Sequence, residues 1–309
     1  MCYSAQIEAD YKKFQLEFGA VIDLPTFTDL WLRNKDKPRP KTPRALDLSF
    51  LRPGDSKVAA IAAEIREWDT DEIAQLETEL QKQTDRLAAA EQKLATKPTK
   101  TAANELRIAG NKIEQIKRRI GDLKRANLEA RDSRMFPGHY CPVLVSEGGK
   151  LVLKPMRYQC RPAGKPAAYD AKYPGTYNAR RDNLEGFWKG EFGHTHGLIV
   201  ASRFYEHVEV DGENRILEFV PRTGEDMLIA CLWSHWKDPK GVQPDLLSFA
   251  AVTDEPEPEV AAAGHDRTII NIKPEHIEAW LNPDPTDLQA LYAIFDDKRH
   301  PFYEHRIAA

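Results

Sequence analysis

The chain lacks any apolar run long enough to span a bilayer, and its N-terminus has no basic region followed by an apolar stretch. A membrane-spanning protein and a secreted one are set aside, no membrane partner is expected, and the cytoplasm is the expected compartment. Cysteine is scarce: Cys2, Cys141, Cys160 and Cys231 are the only four in 309 residues, widely dispersed and with no C-x-x-C pair. That excludes a disulfide framework and a cysteine zinc site. A strong charge of one sign is missing too. A net charge of -4 gives no whole-molecule field for nucleic acid, so such a role would rest on a local basic patch. Also absent are a Walker loop, a Gly-x-Gly-x-x-Gly turn and a Gly-x-Ser-x-Gly elbow, and no cofactor is expected. His194 and His196 have the alternation that puts two imidazoles on one strand face, but no third ligand accompanies them and no metal site is expected.

What is present fits a globular chain: 41% hydrophobic residues, 30% charged, and a mean hydropathy of -0.57, over a length sufficient for one large domain or two ordinary ones. Three blocks are visible. The first, to about residue 54, holds an amphipathic stretch from Tyr11 through Phe18 and then a Pro- and Arg-rich run from Arg33 to Arg44. Pro38, Pro40, Pro43 and Pro53 argue against a regular helix there and predict an extended segment at the surface. In the second block, residues 55–133, apolar residues recur at Ile73, Leu76, Leu80, Leu87, Ala90 and Leu94, with one polar break at Gln83. After Lys97-Pro98-Thr99 the pattern resumes at Leu106, Ala109, Ile113, Ile116, Ile120 and Leu123. Heptads separated by a proline turn predict two helices folded into an antiparallel coiled-coil hairpin, with Asp69 and Glu72 as the capping box of the first. The hairpin over 70–127 reads either as a spacer or as an arm for a protein partner or self-association.

The third block, residues 134–309, alternates as strands do. Apolar runs flank Glu147-Gly148-Gly149, a hairpin signal, and further strands are predicted over Leu198 to Val210, Ile216 to Val220, Met227 to Trp233 and Leu246 to Thr253. Pro274 to Trp280 and Asp287 to Phe295 have helical spacing. The expected fold is α+β and mostly antiparallel, formed by residues 1–54 and 134–309 as one discontinuous domain, with 55–133 inserted as the helical hairpin.

Polar residues gather at four places in this block. The turn Tyr177-Asn178-Ala179-Arg180-Arg181-Asp182 offers an amide to a bound carbonyl and two guanidinium groups to phosphate oxygens. Arg203-Phe204-Tyr205-Glu206-His207 sets a carboxyl among bulky apolar neighbours. On a core strand Glu206 would be paired or have its pKa raised, making it a general acid, whereas on an edge strand it would face water. Gly264-His265-Asp266-Arg267 brings a proton carrier and a fixed cation together. Thr253, at the end of a strand, offers a hydroxyl.

Cys2 follows the initiator Met directly. Removal of Met1 would leave an α-amine and a thiol on adjacent carbons, the group that traps an aldehyde as a Schiff base and then closes a thiazolidine. An encoded Cys2, an Asn-Ala-Arg turn at 178–180, a Phe-Tyr-Glu strand at 204–206 and a His-Asp-Arg turn at 265–267, in that order, resemble the SRAP family, the SOS response-associated peptidases. The likeness covers residues 1 to about 54 and 135 to about 285, and Phe249 to Thr253 and Leu232-Trp233 add to it.

The resemblance implies a β-rich α+β domain with a groove for single-stranded DNA and a terminal cysteine that crosslinks the ring-opened aldehyde of an abasic site. Carried over residue by residue, it makes Cys2 the nucleophile, Asn178 the group that holds terminus and sugar, Glu206 the proton shuttle and His265 an aid to ring opening. Arg180 and Arg267, with Arg181 and Thr253 beside them, would contact the DNA. The peptidase activity it implies is self-removal of Met1. Tyr3-Ser4 stands where the family has Gly-Arg. Two other readings are a cysteine-type N-terminal-nucleophile amidohydrolase, which would turn over an amide, and a non-enzymatic scaffold acting through the coiled-coil arm.

Overall fold

The computed structural model describes residues 3–32, 38–52, 54–210 and 212–308. Its contacts divide the chain into two units, one of Met1–Leu30, Pro40–Ser49 and Glu129–Ala309, the other of Trp31–Arg39 and Phe50–Leu128.

In the first unit β1 (Ser4–Ile7) leads into α1 (Tyr11–Phe18). That helix starts where the Asp10 side chain accepts the Lys12 N–H and stops at Gly19, whose left-handed backbone (φ 63°) turns its N–H back onto the last carbonyls. β2 (Val21–Ile22), α2 (Leu24–Trp31) and α3 (Arg44–Leu51) follow. The third helix corrects the expectation of extended chain around the prolines: it fits between Pro43 and Pro53, with the Leu46 N–H donating to the Pro43 carbonyl.

The second unit contains α4 (Ala59–Thr96) and α5 (Lys100–Lys124). Lys97 and Pro98 end the first helix, and the Thr99 hydroxyl, accepting the Ala102 N–H, starts the second. Ala90, Ala102, Ala109, Ile113, Ile116 and Leu123 are buried, together with Gln83. Early residues of α4 meet late residues of α5, as antiparallel packing requires: Arg119 Nε lies 2.5 Å from Glu72 Oε1, and Lys124 Nζ 3.3 Å from Glu77 Oε1. The expected capping box is not there. The first helix begins ten residues before Asp69, and Asp69 and Glu72 bind Arg39 at 2.7 and 2.8 Å instead.

The first unit resumes with β3 (Arg134–Met135), β4 (Tyr140–Glu147) and β5 (Lys150–Tyr158), then α6 (Tyr169–Lys172) and β6 (Asn178–Arg180). β4 and β5 pair from Tyr140↔Arg157 to Glu147↔Lys150 across the expected Gly-Gly turn, where Gly148 and Gly149 both take positive φ (57° and 73°). β6 is a strand where the sequence predicts a turn, pairing in parallel with β10 below. The longest strand is β7 (His196–Val210), followed by β8 (Glu213–Pro221), β9 (Met227–Trp236) and β10 (Leu246–Asp254). The chain closes with α7 (Pro258–Ala262), β11 (Thr268–Ile269), α8 (Ile277–Leu281), α9 (Leu288–Asp296) and β12 (Tyr303–Ile307).

Twelve strands among the described residues form one barrel-like, mostly antiparallel sheet, with parallel pairs only at β2–β5, β5–β10 and β6–β10. This is the expected α+β fold with its helical hairpin. One sheet face carries a single apolar cluster that includes Val143, Met156, Phe204, Phe219, Ile229 and Phe249. The other face is covered as well, Trp280 of α8 stacking on His196 and Phe295 of α9 packing on Trp280. Burial on both faces explains why Met227 to Trp233 reads as a continuous apolar run. At Gly197 a Cβ would come within 2.8 Å of Val143 and 3.0 Å of Cys231, so the strands approach closely there. Cys141, Cys160 and Cys231 are buried.

Candidate active site

β7 runs between two neighbours where it carries Glu206. Tyr205 pairs with Ser4 of β1 on one side and Glu218 of β8 on the other, so this stretch is central in the sheet, not an edge. Strand alternation puts Glu206 on the face it shares with Phe204 and Val208, both members of the apolar cluster. Its side chain is only 1% exposed, and burial drives its pKa well above the ordinary carboxyl range. The N–H of Tyr3, the residue next in sequence to Cys2, donates to Glu206 Oε2 at 3.3 Å.

His265 closes the pair. It follows α7 on a turn that Gly264 permits at φ 93°, and its Nε2 lies 3.3 Å from Glu206 Oε2. Its other nitrogen, Nδ1, is 2.9 Å from the carbonyl of Arg267. A carbonyl only accepts, so Nδ1 carries the hydrogen and the neutral ring turns its lone pair at Nε2 toward the carboxyl. Burial lowers the pKa of His265 as it raises that of Glu206. Both directions favour the uncharged pair, with the proton on Glu206 and the Nε2 lone pair of His265 facing it. A proton donor and a proton acceptor thus stand side by side in a water-poor setting.

Two further buried polar groups lie on the neighbouring strands β6 and β10. Asn178↔Ala251 and Arg180↔Thr253 are register pairs of β6 and β10, so all four side chains share a face, and Ala251 belongs to the apolar cluster. Among the described residues, neither the amide oxygen nor the amide nitrogen of Asn178 has a partner, nor does the Thr253 hydroxyl. Each buried group left so costs roughly 1–3 kcal/mol, a cost a folded chain ordinarily avoids unless a bound molecule supplies the partner.

A cavity of about 320 Å³ opens beside them, lined among others by Arg180, Arg181, Thr253, Arg267 and Tyr292. Its cations are not idle. Arg180 forks onto Asp182 at 2.7 and 3.0 Å, Arg267 onto Asp266 at 3.0 and 3.2 Å, and Arg181 reaches Asp254 at 3.1 Å and also Asp296. An incoming phosphate would take the place of a carboxylate rather than fill an empty fork.

The structure therefore brings Glu206 and His265 into contact and sets Arg180, Arg181, Arg267 and Thr253 around one cavity, joined to the pair through the His265-Asp266-Arg267 turn. Asn178 shares the strand face of Arg180. Cys2 lies outside the described residues. The sequence reading gave no role to the Tyr3 N–H, Asp182 or Tyr292, and gave Asp266 only as a group that could hold an orientation. The two aspartates carried a local signal, each next to or two residues from an arginine, whereas the Tyr3 N–H and Tyr292 gave none because β1 and α9 arrive from opposite ends of the chain. His196, the candidate metal ligand, spends both ring nitrogens on backbone groups, Nε2 accepting the Gly193 N–H and Nδ1 facing the Trp280 carbonyl.

Comparison with known proteins follows the same lines. The profile of the SOS response associated peptidase (SRAP) family matches residues 93–306, a stretch that includes Asn178, Glu206 and His265 and starts well after Cys2. No curated protein matches. Among solved structures, a protein from Bordetella bronchiseptica is similar at 18% identity, covering 60% of this chain and 90% of its own, with a TM-score of 0.49. A protein from Bacteroides thetaiotaomicron is similar at 12% identity, with coverages of 57% and 77% and a TM-score of 0.46. A phage-related protein from Bordetella bronchiseptica is similar at 17% identity, with coverages of 60% and 85% and a TM-score of 0.43. Among the described residues no helix is long and apolar enough to cross a membrane.

Proposed function

The chain belongs to the SOS response associated peptidase family, which ties it to DNA and the response to DNA damage, and from that premise we propose that it captures abasic sites in single-stranded DNA covalently through Cys2 once Met1 is removed. The observation that carries this reading is the Glu206–His265 pair, 3.3 Å apart and buried, with the Tyr3 N–H bonded to the same carboxyl oxygen. A buried acid held against a neutral imidazole, with the backbone next to Cys2 fixed upon it, suits a terminal amine and a thiol that must exchange protons with a bound aldehyde.

The chemistry follows from the groups. The abasic sugar opens when a base takes the proton of its C1′ hydroxyl and an acid returns one to the ring oxygen; His265 Nε2 and the Glu206 carboxyl supply those two roles. The α-amine of Cys2 adds to the aldehyde carbon to give a carbinolamine. His265 returns to Glu206 the proton it took, and Glu206 protonates the carbinolamine hydroxyl; this leaves as water, the nitrogen gives its extra proton back to Glu206, and an imine remains. The Cys2 sulfur then bonds to the imine carbon while its proton passes to the nitrogen, closing a thiazolidine. One water is lost overall and nothing is oxidised or reduced. Holding the amine and the rare open-chain aldehyde together replaces a bimolecular encounter with an oriented one. Asn178 and Thr253 offer their unpartnered groups to the sugar, and Arg180 and Arg267 release Asp182 and Asp266 to take flanking phosphates.

Denaturing gels with an abasic oligonucleotide test the reading. Wild-type protein is expected to give a heat-stable adduct, and Cys2→Ser at most a reversible Schiff base that is lost on heating. A heat-stable adduct from Cys2→Ser would defeat the assignment of the thiol.

A further inference from the structure

A second surface in the sheet unit joins aromatic rings to unpaired cations. The rings of Tyr169 and Tyr173 lie with centroids 4.3 Å apart, Phe187 stacks near-parallel on Tyr169 at 6.3 Å and 19°, and the buried Trp188 braces Phe187 edge-on at 4.9 Å. Tyr173 is 41% exposed and Phe187 36%. Lys172 sits 5.3 Å from the Tyr173 centroid and Lys165 5.7 Å from that of Tyr169. Both lysines are exposed, and among the described residues neither has a carboxylate at ion-pair distance. In the cavity the reverse holds, every arginine being engaged by an aspartate.

The rings are held firmly. Asp170, next to Tyr169, is gripped by Arg157 at 2.8 Å and by Arg161 at 2.5 and 3.0 Å, and the Asn183 side chain fixes the Phe187 N–H at 3.1 Å. The two segments that carry the rings also flank β6: α6 enters it ahead of Asn178, and the Phe187 loop leaves it just after Arg181. The platform is therefore tied at both ends to the strand bearing Asn178 and Arg180.

We propose that Tyr169, Tyr173 and Phe187 form a stacking platform for unpaired bases of single-stranded DNA, with Lys165 and Lys172 taking its phosphates, so that the bound strand extends from the cavity across this face. The proposal rests on the reading of the cavity as a single-stranded DNA site. Flat rings accept any base on their faces, and ammonium groups beside them match the alternation of base and phosphate along a strand. A fully paired duplex hides its base faces, and an apolar protein surface laid on these rings would strip water from two unpaired cations. Neither suits the patch.

Fluorescence anisotropy with the full chain and a labelled, undamaged single-stranded oligonucleotide is the test. Tyr173→Ala and Phe187→Ala are each expected to weaken binding about tenfold, the scale of one lost base stack. Phe187→Tyr should bind as wild type and Phe187→Leu as Phe187→Ala. Lys165→Gln with Lys172→Gln should flatten the dependence of log affinity on log salt by roughly one. Folded Phe187→Ala and Tyr173→Ala proteins with wild-type affinity would overturn the platform, as would Phe187→Leu binding as wild type. Adduct formation separates this from the parent reading. At saturating abasic DNA the platform variants should crosslink like wild type. If wild type forms no adduct yet binding still depends on Phe187, the crosslinking reading falls and the platform stands.

Discussion

In the helical unit Arg86 meets Glu105 and Lys124 meets Glu77 in plain contact with solvent, whereas in the sheet unit Glu206 meets His265 with both side chains shut away from it. The exposed pairs are screened and give little stability. They fix which residue of α4 faces which residue of α5. The buried pair is costly to charge, because burial holds each group away from its charged form. The proposed function gives such a pair a use in proton transfer, and the Asn178 amide and Thr253 hydroxyl, without partners among the described residues, belong to the same account. Polar residues in the hairpin serve its register, and those on the interior sheet face are the groups that the proposed function puts to work on a ligand.

The sharpest way to break this comparison is Glu206→Gln. The amide still accepts the Tyr3 N–H and is never charged, so the fold should hold, while single-turnover adduct formation should slow roughly 10²–10³-fold, the scale of general acid catalysis. An unchanged rate would make the pair structural. Its stability signature is also defined. Because the folded carboxyl holds its proton to higher pH than the unfolded one, wild-type stability must fall as pH rises past the unfolded carboxyl value, and Glu206→Gln should not show that fall.

Glu191 gives a smaller, separable effect in the same unit. It is buried, its Oε2 has no partner among the described residues, and burial pushes its pKa up to about 7. The unfolded side chain titrates near pH 4.5, so the folded state binds the extra proton between that pH and about 7, and stability present below pH 4.5 is lost across this window. Glu191→Gln should leave denaturant unfolding at pH 4.5 almost unmoved and stabilise the protein at pH 8 by on the order of 2 kcal/mol. The same shift at both pH values would show that titration of Glu191 is not the cause.

The smallest effect is expected in the hairpin. Gln83 is buried on the seam of α4, its Oε1 without a partner among the described residues and its amide nitrogen donating to Glu79. Gln83→Leu should raise the free energy of unfolding by roughly 1 kcal/mol, because an unsatisfied polar group gives way to an apolar one, and should leave adduct formation as it was. A changed adduct rate would tie the hairpin to the chemistry and dissolve the contrast drawn above.

Sequence pattern served the two regions unequally. The hairpin is built from local spacing, so Leu106 to Leu123, the Pro98 break and the polar Gln83 are all visible in one dimension. Only its beginning misled: Asp69 and Glu72 look like a cap until Arg39 and Arg119, distant in sequence, are seen to hold them. The β4–β5 turn was likewise plain, since Gly148-Gly149 is local chemistry. Strand β6 was not, because Asn178 to Arg180 is polar and pairs with a strand some seventy residues away. Whether Glu206 lay in the core or at an edge was undecidable from its own neighbours. Pairing with β1, from the opposite end of the chain, settles it, and that same pairing brings Tyr3 to the carboxyl. Residue types announce chemistry, but long-range strand pairing decides which of them are buried together.

The most direct test of the central claim is the intact mass of the purified protein before and after incubation with single-stranded DNA bearing one abasic site. The account predicts a chain lighter by one methionine residue, which then gains the mass of the oligonucleotide less one water. A chain that keeps Met1, or one that loses it and gains no DNA, would contradict it.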